Sequence, residues 1–167
     1  MDFIANWSRW LRSRKIGRKD DAQMEREMSW LVDFVKEKEG FRANAYQDAV
    51  GVWTIGYGST HGVKQGDQIS PANAEKLLEK ELDDFKRYVE NYSMKVTYYW
   101  EPHQIDALTS FVFNLGKGRL NQLTQDGTRT DAVIAEKMKL YVNAGGKPLP
   151  GLITRRQEES DHFKGED

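Results

Sequence analysis

The hydrophobic period changes once within residues 28–58, and that change dictates the local fold. Met28, Leu31, Val32 and Val35 recur at i, i+3, i+4 and i+7, one face of an amphipathic helix running up to Gly40. Beyond Tyr46, the apolar residues Val52, Ile55 and Tyr57 are interleaved with Gly51, Gly56 and Gly58, which suits short twisted strands and tight turns. The chain therefore leaves a helix, bends and enters a hairpin. Glu39 falls on the last helical turn, Asp48 at the first bend and Thr54 on the strand beyond it.

A carboxyl group at the C-terminal turn of a helix faces the negative end of the macrodipole, where a cation would be favoured by roughly 0.3–1 kcal/mol. Partial desolvation works in the same direction, so Glu39 is expected to be an acid able to donate a proton near neutral pH. An arginine brought to Glu39 would oppose this. Asp48, in a polar bend, is expected to stay ionised. Two carboxyl groups in such different settings suit acid-catalysed glycoside cleavage, in which one protonates the leaving oxygen and the other handles water or positive charge on the opposite face. The hydroxyl of Thr54 can hold that water. Taken singly, each residue also has an ordinary structural role: a solvated helix end, a turn former and a strand threonine.

The surrounding residues carry more information. E-G-F-R-A-N-A-Y-Q-D-A-V-G-V-W-T-I-G-Y-G at 39–58 contains E-x8-D-x5-T; Q-I-D-A-L-T-S-F-V-F-N-L-G follows at 104–116 and A-G-G-K-P-L-P-G-L-I-T-R-R at 144–156. These stretches, in this order, closely resemble the phage-type lysozymes, the endolysins of glycoside hydrolase family 24, over roughly residues 25–165. The resemblance implies an α+β, mostly helical, two-lobed fold. A small β-hairpin sheet lies in the N-terminal lobe, a long helix connects the lobes, and the C-terminal lobe is helical. It matches Glu39, Asp48 and Thr54 to the catalytic triad, and it implies a muramidase cutting the β-1,4 bond between N-acetylmuramic acid and N-acetylglucosamine of bacterial peptidoglycan. No cofactor or metal is implied. With Thr54 holding water opposite Glu39, inversion at the anomeric carbon is expected. Tyr46, Gly58, Asn114, Arg155 and Arg156 are candidates for contacting substrate. A lytic transglycosylase also uses a glutamic acid but needs no external water, so Asp48 and Thr54 argue for hydrolysis. A wall-binding module without catalysis and a membrane-permeabilising protein are the alternatives from other classes.

Lys and Arg number 25 against 26 Asp and Glu, and this near balance hides a basic N-terminal segment. In residues 1–19, Phe3, Ile4, Trp7, Trp10 and Leu11 stand at helical spacing among Arg9, Arg12, Arg14, Lys15, Arg18 and Lys19, with Asp2 the sole acid. Such a segment suits binding to an anionic membrane or lipopolysaccharide; the alternative is a helix docked on the body of the protein. The chain thus divides into residues 1–24 and a catalytic domain at 25–167. Nucleic acid is not an expected partner, because the basic residues have no accompanying motif. A monomer is expected. Cysteine is absent, which removes disulfides and thiolate chemistry, and His61, His103 and His162 lie far apart without metal-ligand spacing. With no secretory signal read at the N-terminus, the enzyme is expected to stay in the host cytoplasm until a pore made by another protein admits it to the wall.

The remaining chain reads as support. Residues 59–69 are expected to form a loop or third short strand. Ser70 and Pro71 start a long helix carrying Ala74, Leu77, Leu78, Leu82, Phe85, Tyr88, Val89 and Tyr92, with Glu75, Lys76, Glu79, Lys80, Glu81, Asp83, Asp84 and Lys86 as a solvated face. Residues 96–100 read as β-prone, and 105–115 as a helix apolar nearly all round, hence buried, ended by Gly116 and Gly118. Thr130 caps a helix carrying Val133, Ile134, Met138 and Tyr141; residues 143–151 form a loop, and a last polar helix spans 153–163. Arg155 and Arg156 would open it, a poor place for two cations. One is expected to pair with a carboxylate of the preceding helix or the cleft, the other to meet solvent or substrate.

Overall fold

The computed structural model describes residues 21–48 and 50–166, with side chains from Trp30 onward. The surface-binding candidates Phe3, Trp7, Arg9, Trp10, Arg12 and Lys15 lie outside the described residues. Helix α1, Asp21–Glu39, starts within the segment assigned above to the N-terminal arm and ends where the sequence places its end. Leu31, Phe34 and Val35, at i, i+3 and i+4, are its buried face. Gly40, at φ +69°, closes the last turn by donating its N–H to Lys36 O at 3.0 Å.

Strands β1, Arg42–Gln47, and β2, Trp53–Gly56, pair antiparallel with Tyr46 opposite Thr54 and Gln47 opposite Trp53. Only β2 turns its residues inward. Residues 59–69 add single bridges, Ile55 to Ser59 and Asn44 to Gln68, to this pair and form no third strand. Helix α2, Pro71–Lys95, follows; Ser70 caps it by accepting from Asn73 N at 3.3 Å, with proline at the first position. Its 25 residues span about 37 Å, enough to pass through two separate cores. Ala74, Leu78 and Leu82 join α1 and Tyr57 in the N-terminal core; Val89 and Tyr92 join the C-terminal one. The expected solvated face is not uniformly solvated: Lys86 is buried against Asp106, and Glu81 is partly buried.

Residues 96–100 are a turn and extended chain, not a strand. Thr97 takes φ +59°, and Trp100 buries itself in the C-terminal core, its Nε1 donating to Asp131 Oδ1 at 3.1 Å. Val96, Tyr98 and Trp100 pack on that core while Thr97 and Tyr99 are exposed, and none of the five belongs to a strand. Helix α3, Pro102–Leu115, is buried from Ile105 to Val112 and forms the centre of that core. Gly116, at φ +87°, ends it, whereas Gly118 begins α4, Gly118–Thr124, which the sequence did not announce. That helix buries Leu120 and Leu123, a pair too short to show a period.

Helix α5, Asp131–Met138, stops before Tyr141, whose ring nonetheless packs edge-on against Phe111 at 5.0 Å. The expected loop after it contains a small hairpin, β3 Asn143–Ala144 with β4 Lys147–Pro148. Helix α6, Pro150–Lys164, begins three residues earlier than expected because Pro150 supplies its first position. Arg155 and Arg156 therefore sit in its second turn, away from the unfavourable first turn.

Candidate active site

Glu39 ends α1 with its side chain 25% exposed, and the fold brings two distant stretches to it. From the loop after β2 comes Gly58, at φ +97°; a Cβ built there would stand 3.8 Å from Glu39 Oε2, so the backbone passes directly beside the carboxyl group. From α6 comes Arg155, whose Nη1 donates to Glu39 Oε1 at 2.7 Å.

Asp48 sits at the hairpin bend, where its Oδ1 accepts from Val50 N at 3.0 Å and Val52 N at 2.8 Å. Its backbone completes the turn: Asp48 N donates to Val52 O and Gly51 N to Asp48 O, both at 3.0 Å. Oδ2 lies outside these bonds. Thr54 Oγ1 donates to Val52 O at 3.1 Å, so Asp48 and Thr54 are held from the N–H and C=O of the same residue. With its proton committed to that carbonyl, the Thr54 hydroxyl has its lone pairs left to accept. Tyr46, opposite Thr54 in the ladder, keeps an exposed ring with the Arg42 guanidinium 5.1 Å from its centroid. Asn114 is partly buried on the last turn of α3, its Oδ1 without a hydrogen-bond partner among the described residues.

The two arginines meet expectation in part. Both are buried: Arg155 is 3% and Arg156 0% exposed, so neither meets solvent, and Arg156 as a substrate contact is ruled out. Arg155 pairs with Glu39, the cleft carboxylate that the expectation allowed, and the acid that both arginines share is Glu159 of their own helix. Glu159 Oε1 accepts from Ser110 Oγ at 2.6 Å, Arg155 Nε at 3.1 Å and Arg156 Nη2 at 2.9 Å, while Oε2 lies 2.8 Å from Arg156 Nε. Burial pushes the Glu159 carboxyl above its ordinary range, with Arg156, Arg155 and the Ser110 hydroxyl pushing back; burial pushes Arg156 down, with Glu159 opposing. Glu159 and Ser110 were missed in the sequence, although R-R-x-x-E places the acid at i+4 and i+3 from the two arginines, the helical pairing distance.

Beside the site, Ser59 Oγ donates to Glu81 Oε2 at 2.9 Å, tying the loop after β2 to the connecting helix. Burial pushes the Glu81 carboxyl above its ordinary range, with the Ser59 hydrogen bond opposing. Two of the three histidines come together despite their separation in sequence. His162 stacks on Trp30 with ring centroids 3.5 Å apart and meets His103 edge-on at 6.3 Å. Among the described residues, no group of three or more His, Cys, Asp or Glu is placed to hold a metal ion.

Known proteins resemble this chain in sequence and in fold. The phage lysozyme profile matches residues 36–159, a span that contains Glu39, Asp48, Thr54 and Arg155 and closes on Glu159. The chain is 36% identical over 137 residues to the endolysin of Acyrthosiphon pisum secondary endosymbiont phage 1, covering 78% of this chain and 92% of that protein. It is 36% identical over 128 residues to the SAR-endolysin of Bacteriophage PS119, covering 74% of each. Among solved structures it resembles the muramidase domain of SpmX from Asticaccaulis excentricus, with a TM-score of 0.71 and 30% identity, over 80% of this chain and 93% of that one. The chain belongs to the phage lysozyme family and is a glycoside hydrolase.

Proposed function

We propose that this enzyme lyses bacterial peptidoglycan by hydrolysing the β-1,4 bond between N-acetylmuramic acid and N-acetylglucosamine, with Glu39 as general acid and Asp48 and Thr54 as holders of the attacking water. The supporting observation is the contrast between the two carboxyl groups. Glu39 stands accessible at a helix end beside one guanidinium, while Asp48 has one oxygen tied by two amides and the other outside them. Glu39 gives its proton to the glycosidic oxygen as the C1–O bond breaks. Water then attacks the oxocarbenium-like carbon from the opposite face, losing one proton to Asp48 and keeping the other, which donates a hydrogen bond to Thr54 Oγ1. The product is inverted at the anomeric carbon. Tyr46, Gly58 and Asn114 line the approach of the sugar chain, and Arg155 acts on the substrate through Glu39.

Residues 1–19 extend this reading. Five apolar side chains at helical spacing and six basic ones suit attachment to anionic membrane or lipopolysaccharide. No helix among the described residues is long and apolar enough to cross a membrane. In this reading the enzyme acts as a monomer and waits in the host cytoplasm until a pore made by another protein admits it to the wall.

Digestion of purified peptidoglycan by the wild type and by Glu39→Gln tests the catalytic assignment. The amide keeps the shape of the acid but has no proton to give, so turnover is expected to fall about 100- to 10,000-fold. Wild-type products should carry reducing ends by mass spectrometry and be inverted in their first-formed state by NMR. Near wild-type turnover by Glu39→Gln would remove the general acid; anhydro ends would make the enzyme a transglycosylase; a retained β configuration would overturn the roles of Asp48 and Thr54.

A further inference from the structure

The contacts of Arg155 are distributed in a way that the pairing with Glu39 alone does not explain. Its Nε donates to Glu159 Oε1 at 3.1 Å, and its Nη2 lies 3.3 Å from Ser110 Oγ and 3.5 Å from Ser110 O. Ser110 Oγ in turn donates to Glu159 Oε1 at 2.6 Å. These bonds close a ring, Arg155 to Glu159, Ser110 to Glu159 and Arg155 to Ser110, across α6 and α3. A planar guanidinium held at two of its three nitrogens cannot turn about its stem, so the direction of the third is fixed. That third nitrogen, Nη1, is the one that meets Glu39 at 2.7 Å.

Charge gives Glu159 a second role. Arg155 touches Glu39 directly, and Arg156 adds its field from 0% exposure with no solvent to screen it. The other charged groups around Glu39 are largely engaged elsewhere: Lys36 of its own helix with Glu75 of α2, and Lys38 with Glu158 of α6. The loop after β2 contributes the bare backbone of Gly58, and α3 contributes the neutral Ser110. Arg155 and Arg156 together bring two buried positive charges to this corner of the fold. Glu159, fully buried and within 3.1 Å of both arginines, supplies the second negative charge that balances them.

We infer that Glu159 is a positioning residue for glycoside cleavage: with Ser110 it holds the Arg155 guanidinium so that its Nη1 is aimed at Glu39, and its carboxylate is the counter-charge that keeps Arg155 and Arg156 buried in place. This rests on the general-acid reading of Glu39. Glu159 never meets substrate, and its effect travels through Arg155.

The test is kcat and KM on purified peptidoglycan for wild type, Glu159→Gln, Glu159→Asp and Ser110→Ala, with the folded fraction followed by circular dichroism. Glu159→Gln removes the charge and keeps the volume. Because the guanidinium loses the charged anchor that fixes its direction, kcat is expected to fall about 10-fold with KM little changed. Glu159→Asp restores the charge and should return kcat toward wild type. Ser110→Ala keeps every charge and loosens the aim, so kcat should fall several-fold with KM little changed. A Glu159→Gln kcat equal to wild type at equal folded fraction would overturn the inference, as would Glu159→Asp reduced equally far. If Glu159→Gln does not fold, unchanged kcat in Ser110→Ala overturns it instead. Glu39→Gln is measured on the same walls: if it stays active, the general-acid reading has failed, whereas an inactive Glu39→Gln beside a Glu159→Gln of wild-type kcat strikes the role of Glu159 alone.

Discussion

Lys86 reaches from α2 into the C-terminal lobe and places its Nζ 2.6 Å from Asp106 Oδ1 of α3, with the two side chains 11% and 0% exposed. Substituting Lys86→Met keeps the length and apolar stem of the side chain but leaves the Asp106 carboxylate buried without its ammonium. Breaking a pair at such depth costs about 3–5 kcal/mol, whereas an exposed pair is worth about 0–1 kcal/mol. For a chain of this size each kcal/mol moves the melting temperature by roughly 2–4 °C, so the expected loss is about 6–20 °C. Replacing both partners, Lys86→Met with Asp106→Leu, removes the buried carboxylate together with its ammonium and should recover most of that loss. Thermal and urea unfolding of the four proteins of this double-mutant cycle measure the coupling directly. A cost below about 1 kcal/mol for Lys86→Met, or single effects that simply add in the double variant, would refute the argument and return Lys86 to the solvated face read from the sequence.

Two further outcomes are expected. Removing residues 1–19 should spare hydrolysis of purified peptidoglycan while reducing salt-sensitive binding to anionic vesicles; undiminished vesicle binding at low and high salt would dispose of the membrane role, and a lower melting temperature with unchanged binding would mean a docked helix instead. Burial raises the Glu81 carboxyl in the folded state, which therefore binds that proton more tightly than the unfolded chain does. Stability should fall as pH rises from the ordinary carboxylate range through the raised value, and Glu81→Gln should flatten that decline in urea unfolding; parallel slopes would exclude a Glu81 contribution.

What the sequence disclosed followed the range of the interactions involved. The helix end at Glu39, the bend at Asp48, the cap at Ser70 and the stop at Gly116 are each set by residues a few positions apart, and the structure places all four where the sequence does. Helix α4 escaped because its anchors, Leu120 and Leu123, make only one i, i+3 step. Trp100 and its neighbours escaped for the opposite reason. Their β-prone character is real, but a strand needs a partner strand, and burial against α2 and α3 prevailed. Charge was the least legible property. Lys86 lies in a run of charged residues that alternate in sign like any solvated face, and only the arrival of Asp106 from twenty positions away makes it a buried residue. In the candidate site, Glu39, Asp48 and Thr54 stood out by motif, whereas Glu159 is one of 26 acidic residues until α6 is folded against α3.

The end of α1 shows why such a buried group matters to an accessible one. Lys36 and Lys38 occupy the last turn, where cations complement the helix dipole, and Glu39 breaks that pattern at the terminal position. Lys36 is tied to Glu75 of α2 at 3.0 Å, and Lys38 to Glu158 of α6. The first joins α1 to the helix that connects the lobes; the second, with Arg155 and Glu39, joins it to the C-terminal lobe. Partly exposed pairs of this kind contribute about 0–1 kcal/mol each, too little to account for the fold, which the two apolar cores already hold. What they add is geometry. Glu39 belongs to one lobe by its backbone and to the other by its carboxyl group, so its distance from a sugar in the cleft is set by how the lobes meet. The Arg155 ring of bonds, buried where water cannot compete, is the stiff part of that contact.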